Sequence, residues 1–303
     1  MKRVLITGAS GLIGRHCLQP LIANGSEVHA ADLKIPGEGK AGVNWRQTNL
    51  LDPRQVLELI RSVEPTHLLH CAWFTEPSQY RDSLKNIQWV QASLYLLEKF
   101  REHGGQRIVM VGSCAEYDWQ YGYCSETVTP LAPTSLYGVC KHSLQLLLTA
   151  FSRKTGLSAA WGRVFSLYGP YEHPDRLVPS VINSLLHGHP ARCTHGNQIR
   201  DFLFVEDAAS ALIALLESNV SGPVNIASGY PVVLKKLVDK IGEKLQQPER
   251  IQMGVVPTPP GDPPSIIANV SRLSEEVGWQ PRYDLDTGLE KTIRWWKKNA
   301  PRR

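Results

Sequence analysis

Short aliphatic runs alternate with stretches of helical spacing through the first half of the chain. Residues 3–7, 27–32, 66–72, 107–113 and 158–165 are apolar runs bounded by glycine or polar residues, a pattern that predicts buried strands. Residues 12–24, 53–62, 86–103 and 135–155 repeat apolar positions on one helical face, and Gly25 stands where the first of these helices should stop. Strands alternating with helices of this length imply βαβ units. The expected fold is α/β, a doubly wound parallel sheet with helices on both faces. Ligands of such sheets bind beyond the carboxyl ends of the strands.

After residue 165 the pattern loosens. "LYGPYEHPDRLVP" and "GVVPTPPGDPP" read as loops, while residues 234–245 and 286–299 read as helices. The expected organisation is a cofactor domain over residues 1–165. Residues 166–303 would form a smaller substrate-binding lobe, with some segments returning to the first domain. Composition adds exclusions: a net charge of +5 over 303 residues, without a dense basic block, argues against a nucleic-acid partner. No apolar stretch is long enough to span a membrane, and the apolar run of "MKRVLITGAS" stops after Ile6, too early for a signal peptide. Six scattered cysteines without a CxxC suit a reducing compartment, so a cytoplasmic protein is expected, and no His/Asp/Glu spacing suggests a metal.

Two stretches carry candidate chemistry. "TGASGLIG" sets Gly8, Gly11 and Gly14 between a strand and a helix, where glycines let the backbone approach a pyrophosphate and the helix N-terminus faces it. Asp32 ends the next strand, 18 residues after Gly14. An acid there can bind an adenosine ribose diol and repel a 2′-phosphate, which favours NAD. Arg15 and Lys34 lie near enough in sequence to leave room for NADP. The second stretch is "SLYGVCKH", which puts Tyr137 and Lys141 one helical turn apart on a shared face. An ammonium beside a phenol favours phenolate and equips the tyrosine for proton transfer. Ser113 ends the strand "RIVMVGS", where its hydroxyl could hold the same substrate oxygen.

With these motifs in this order, the sequence resembles the extended short-chain dehydrogenase/reductases, which include nucleotide-sugar epimerases, dehydratases and reductases. The resemblance also rests on "HCAW" at residues 70–73, Asn86, "LYGP" at 167–170, "RDFLFVEDAA" from Arg200, "VGWQP" at 277–281 and "TGLEKTIRWW". It implies a Rossmann-type sheet. It makes Tyr137 the acid/base, assisted by Ser113, with Lys141 lowering the tyrosine pKa and holding the nicotinamide ribose. It places Gly8, Ser10, Gly11, Leu12, Ile13, Gly14, Asp32, Asn49, Leu50, Cys71, Ala72, Trp73, Tyr137, Lys141 and Phe165 at the cofactor. Trp119, Ser166, Arg176 and Arg200 fall at a nucleotide-sugar substrate. A homodimer through the helices carrying Asn86 and Ser135 would match the family.

Departures from the pattern narrow the activity. The dehydratases' Asp-Glu pair is replaced by Cys114 and Ala115. Glu116 comes one residue later, and on a strand it would face away from Ala115. "AEY" before the loop looks more like the 4-keto-6-deoxy-sugar reductases, although Glu116 could equally make a structural hydrogen bond. Ser166 stands for an expected asparagine, and Pro259 for an arginine, so the diphosphate grip is altered. Arg176 fits either the cleft or a surface salt bridge. Trp119, Tyr121 and Tyr123 fit either sugar stacking or loop packing, while His173 and His195 read as surface residues. The expectation is an NAD(P)-dependent oxidoreductase acting at C4 of a nucleotide hexose, a 4-keto-sugar reductase first and a 4-epimerase as the alternative. A non-catalytic dinucleotide-binding protein comes third.

Overall fold

The computed structural model describes residues 1–37 and 41–299, so 38–40 and 300–303 of the two expected spans lie outside it. In chain order the strands are β1 (Arg3–Thr7), β2 (Glu27–Asp32), β3 (Val43–Gln47), β4 (His67–His70), β5 (Arg107–Ser113), β6 (Tyr123–Cys124), β7 (Ser158–Val164), β8 (Ser166–Tyr168), β9 (Ala191–Arg192), β10 (Ile199–Phe204), β11 (Gly222–Ile226), β12 (Pro231–Val233), β13 (Ile251–Gln252) and β14 (Ser265–Ala268). The helices are α1 (Gly14–Ala23), α2 (Pro53–Val63), α3 (Lys85–Glu102), α4 (Leu136–Thr155), α5 (Leu177–Leu186), α6 (Val205–Glu217), α7 (Leu234–Leu245) and α8 (Leu285–Asn299). Among the described residues no helix is long and apolar enough to cross a membrane.

Seven parallel strands form the main sheet in the order β11-β7-β5-β4-β1-β2-β3. Side chains alternate across it, as the pleat requires. Val4 and Ile6 face a core with Cys17 and Leu21 of α1 and Leu212 and Leu216 of α6. Leu5 faces the opposite core, with Ile60 of α2, Leu97 of α3 and Leu144 of α4. Each face is thus sealed by helices, and both edge strands were unread in the sequence. β3 is half exposed, so VNWRQ lacks an apolar run. β11 is a five-residue strand in the loosely patterned second half.

A second sheet, β12-β10-β14-β6 with β8 also on β10, stands over the carboxyl end of the first. Its outer face packs on α5, α7 and α8 through Phe204, Ile182, Ile241 and Trp296. A small cluster of Tyr117, Cys124, Phe165 and Ile266 fills the junction between the sheets. Residues 205–226 leave the second sheet at β10 and end in the first at β11, so the chain passes between the two layers more than once.

His70 ties the sheet to its helices. Its Nδ1 lies 2.6 Å from Thr7 Oγ1 on β1 and its Nε2 2.9 Å from Ser93 Oγ on α3. Burial, with the nearby Lys141 charge, lowers its pKa to about 3. The unfolded value is about 6.5, so the stability of the neutral ring is full above that pH and is lost as pH falls towards 3. Thermal unfolding followed from pH 7 to pH 4 should show a fall of a few kcal/mol, on the order expected for a fully buried group. His70→Gln should flatten that fall, and an equal slope in the variant would assign the acid sensitivity elsewhere.

Candidate active site

The first glycine turn forms a cradle at the end of β1. Gly8 has φ +66°, and a Cβ on it would lie 2.7 Å from the backbone of Ala72; one on Gly14 would meet the Gly8 carbonyl. Backbone therefore closes on backbone at both glycines. No side chain caps α1, and its first turn carries no acid. Its N-terminal dipole and N–H groups face the cradle, as an anion requires. Asp32 accepts from Ser10 N–H at 2.9 Å and from Leu33 N–H at 2.7 Å, which fixes its carboxylate at the turn. These residues fit a dinucleotide with an unphosphorylated adenosine ribose. Leu12 and Ile13 complete the turn, and Leu50, Cys71, Ala72 and Phe165 follow the carboxyl ends of β3, β4 and β7. Asn49 Oδ1 is already used by Leu51 N–H, at 3.1 Å.

Ser113 is the last residue of β5, and the chain then turns in a 3-10 helix over residues 114–116. Ser113 Oγ accepts from Ala115 N–H at 3.1 Å, and the Glu116 carboxylate accepts from Ser113 N–H at 2.8 Å. This capping box corrects the expectation that Glu116 continues a strand. Glu116 folds back under β5, where Trp161 Nε1 and Arg163 Nε donate to it at 2.9 and 2.7 Å. The role of Glu116 is a structural one, in the core.

α4 begins at a Ser135 cap, whose Oγ accepts from Gly138 N–H at 3.2 Å. Gly138 packs on the turn after β5; a Cβ on it would overlap the Ala115 carbonyl and lie 2.8 Å from Pro133 Cβ. This close approach brings the Tyr137 phenol to the Ser113 end of β5, near enough for Ser113 to act on its pKa. Gly138 is thus part of the site, and the sequence signal was its place inside "YGVCK".

Lys141 lies below Tyr137. Its Nζ donates to the Val111 carbonyl at 2.7 Å and sits 3.7 Å from the Trp73 ring centroid. Burial, opposed by Glu116 and Cys71, lowers its pKa to about 7. Tyr137 is 9% exposed, and burial raises its phenol, with the nearby Ser113 hydroxyl acting the other way. The ammonium rests on Trp73 and a carbonyl, 5.9 Å from the Tyr137 ring centroid.

An aromatic wall that the sequence did not show surrounds the phenol. Tyr80 meets Tyr137 edge-on at 5.0 Å, and Trp73 does so at 6.3 Å. Asn86 positions both, accepting from Trp73 Nε1 at 2.8 Å and donating to the Tyr80 carbonyl. Tyr137 N–H donates to the Arg81 carbonyl at 2.8 Å, so residues 74–84 form a strap across the site.

The expected substrate residues divide. Among the described residues Arg176 forms no surface salt bridge; its guanidinium lies 5.3 Å from the Tyr80 ring. Trp119 packs in its loop, donating to the Cys114 carbonyl at 2.8 Å, with Arg81 over its ring. Ser166 opens β8 opposite Phe202. Arg200 is committed: it pairs with Asp262 at 2.7 Å and donates to the carbonyls of Pro263 and Ile199. Asp262 belongs to the same "PPGD" loop that lacks the expected arginine. His173 lies near Glu76 of the strap, 3.8 Å away.

Gly138→Ala tests the close approach. The added methyl should cost about 1–3 kcal/mol of stability by overpacking and part Tyr137 from Ser113. Affinity for NAD at the remote glycine turn should persist. Thermal unfolding and calorimetric titration would measure both, and an unshifted melting temperature would refute the contact.

The family model described as "NAD dependent epimerase/dehydratase family" matches residues 4–227. The dTDP-glucose 4,6-dehydratase of Xanthomonas campestris pv. campestris is 28% identical over 99% of this chain and 94% of its own. The UDP-glucuronic acid decarboxylase 1 of Xenopus tropicalis is 26% identical over 98% of this chain and 72% of its own. The solved UDP-glucose 4-epimerase of Thermus thermophilus, in complex with NAD, superposes with a TM-score of 0.85. It is 24% identical, covering 97% of this chain and 99% of that one. With the glycine cradle, the Ser113–Tyr137–Lys141 cluster and these relationships together, the chain belongs to the NAD-dependent epimerase/dehydratase family of enzymes.

Proposed function

We propose that the protein is a nucleotide-sugar 4-epimerase. It would oxidise the C4 hydroxyl of a nucleoside diphosphate hexose and reduce the ketone again from the opposite face. The observation that carries this reading is that one proton-transferring group, Tyr137, faces the Ser113 edge. Glu116 is closed off by Trp161, Arg163 and the Ser113 N–H. His70 is closed off by Thr7 and Ser93. Cys114 has its thiol pushed up to about 12 by burial, and Ala115 brings no acid. Loss of water from a sugar needs a second base beside the keto carbon, whereas inversion at one carbon needs only one acid/base.

The chemistry that bound NAD supplies is reversible hydride transfer. Tyr137 takes the C4 hydroxyl proton and later returns it, while Ser113 Oγ orients the same oxygen. Lys141, with a pKa near neutrality, can adjust its charge as the phenol's proton moves. The aromatic wall and the strap exclude water from the exchange. The 4-keto-sugar reductase reading uses the same three residues. Its sequence signal, the glutamate of "AEY", is accounted for by the core hydrogen bonds of Glu116. Arg176 and Arg200 remain the cations for a diphosphate, and Arg200 would have to share itself with Asp262.

We also propose a cytoplasmic homodimer. The six cysteines are all unpaired, which suits a reducing compartment. Val139, Leu146 and Leu147 leave an apolar stripe exposed on α4, beside Ile87 on α3.

Both readings are open to test. Denatured protein should release NAD, and UDP-hexoses incubated without added cofactor should give their 4-epimers by NMR. Stoichiometric consumption of NADH or NADPH would instead support the reductase. Tyr137→Phe should cut turnover at least about a hundredfold with NAD binding intact. For the dimer, Leu146→Glu should halve the mass seen by light scattering. A wild-type monomer would refute the assembly.

A further inference from the structure

The adenosine end of the glycine turn carries a device that the catalytic cluster does not use. Arg15 follows Gly14, and its guanidinium reaches back over the turn. Nε donates to the Ser10 carbonyl at 2.9 Å and to the Gly11 carbonyl at 3.3 Å, and Nη2 also donates to Ser10. Ser10 N–H is the group that holds Asp32. Arg15 and Asp32 are therefore anchored on the same residue, and Asp32 lies close enough to act on the guanidinium electrostatically.

Tyr171 arrives from the loop after β8. Its ring centroid lies 3.9 Å from the Arg15 guanidinium carbon. The ring is held in place by Trp295 of α8 at 4.6 Å and by the edge of His16 at 6.0 Å. Tyr171 has φ +68°, a left-handed backbone that a tyrosine adopts at a cost. The fold maintains that conformation where it sets an aromatic face on a cation.

We infer that Tyr171 determines which dinucleotide the protein accepts, acting as a positioning residue that holds Arg15 against the turn. A 2′-phosphate beside Asp32 needs a cation to offset the carboxylate, and a guanidinium is suited to grip it through paired N–H groups. Arg15 is at the right end of the turn, but its Nε and Nη2 point to backbone carbonyls and its face is covered by Tyr171. Selectivity for NAD then has two parts, the repulsion from Asp32 and the restraint of Arg15. The second part is supplied by the substrate lobe. This inference rests on the turn being the dinucleotide seat.

Calorimetric titration of NAD and NADP into wild type and Tyr171→Gly tests it. Glycine removes the ring and suits the left-handed backbone. NADP affinity should rise about tenfold relative to NAD, the scale of one charge-assisted hydrogen bond. Adding Arg15→Ala to Tyr171→Gly should erase that gain. Tyr171→Phe, which keeps the ring, should stay near the wild-type ratio. Equal changes for both cofactors, or a gain that survives loss of Arg15, would overturn the inference. Failure of wild type to bind NAD would overturn the seat and the inference together. NAD binding with an unchanged ratio in Tyr171→Gly would overturn the inference alone.

Discussion

A buried ion pair anchors the site. Glu116 and Arg163 both have side chains at 0% exposure, 2.7 Å apart at the core of the main sheet. Charges so placed are tolerated only where hydrogen bonds satisfy them, and losing one partner typically costs about 3–5 kcal/mol. Here the hydrogen bonds extend outward from the pair, with Arg163 Nη2 left without one among the described residues. Glu116 takes N–H groups from Ser113 and Trp161, Arg163 donates to the Tyr117 hydroxyl, and Tyr117 donates to Asn225 on β11. Asn225 in turn donates to the carbonyls of Cys124 on β6 and of Asn269 just after β14. The position of Ser113 is therefore one end of a network that begins in the core and crosses to the other sheet.

Above that network Tyr137 and Lys141 are both buried. Burial disfavours both the Tyr137 phenolate and the Lys141 ammonium, in opposite protonation senses. Lys141 Nζ rests on Trp73 and the Val111 carbonyl, 5.9 Å from the Tyr137 ring centroid. A ligand that brings charge into this volume acts through a low dielectric, where a small displacement of the ammonium has a large effect on the phenol. Trp73 and Tyr80 matter for the same reason: they set how much water reaches the pair.

The legible parts of the fold were those dictated by local pattern. Strands 3–7, 27–32 and 107–113 matched residue for residue, because each is an apolar run with a sharp polar or glycine boundary. Residues 43–47 and 222–226 carry no such run and become strands only because neighbours offer them an edge. Motif spacing identified Ser113, Tyr137 and Lys141, and the structure gathers them. The strap with Tyr80, the commitment of Arg200 to Asp262 and the return of Glu116 into the core depend on contacts between segments distant in sequence. The turn at 114–116 shows the limit most plainly. Read as a strand, it sends Glu116 to the wrong place; the capping box with Ser113 redirects it.

The strand order β11-β7-β5 bears on how the chain can be divided. β11 follows β10, yet it pairs with β7 along its whole length. A chain ending after β7 would present that strand's hydrogen-bonding groups as a bare, apolar edge, an invitation to pair with other molecules. The segment that would cover it is also the one that passes through the second sheet. The two sheets are thus interleaved along the chain, and a cut after β7 leaves the main sheet incomplete: the cluster of Ser113, Tyr137 and Lys141 depends, for a closed sheet beneath it, on residues some eighty positions further along.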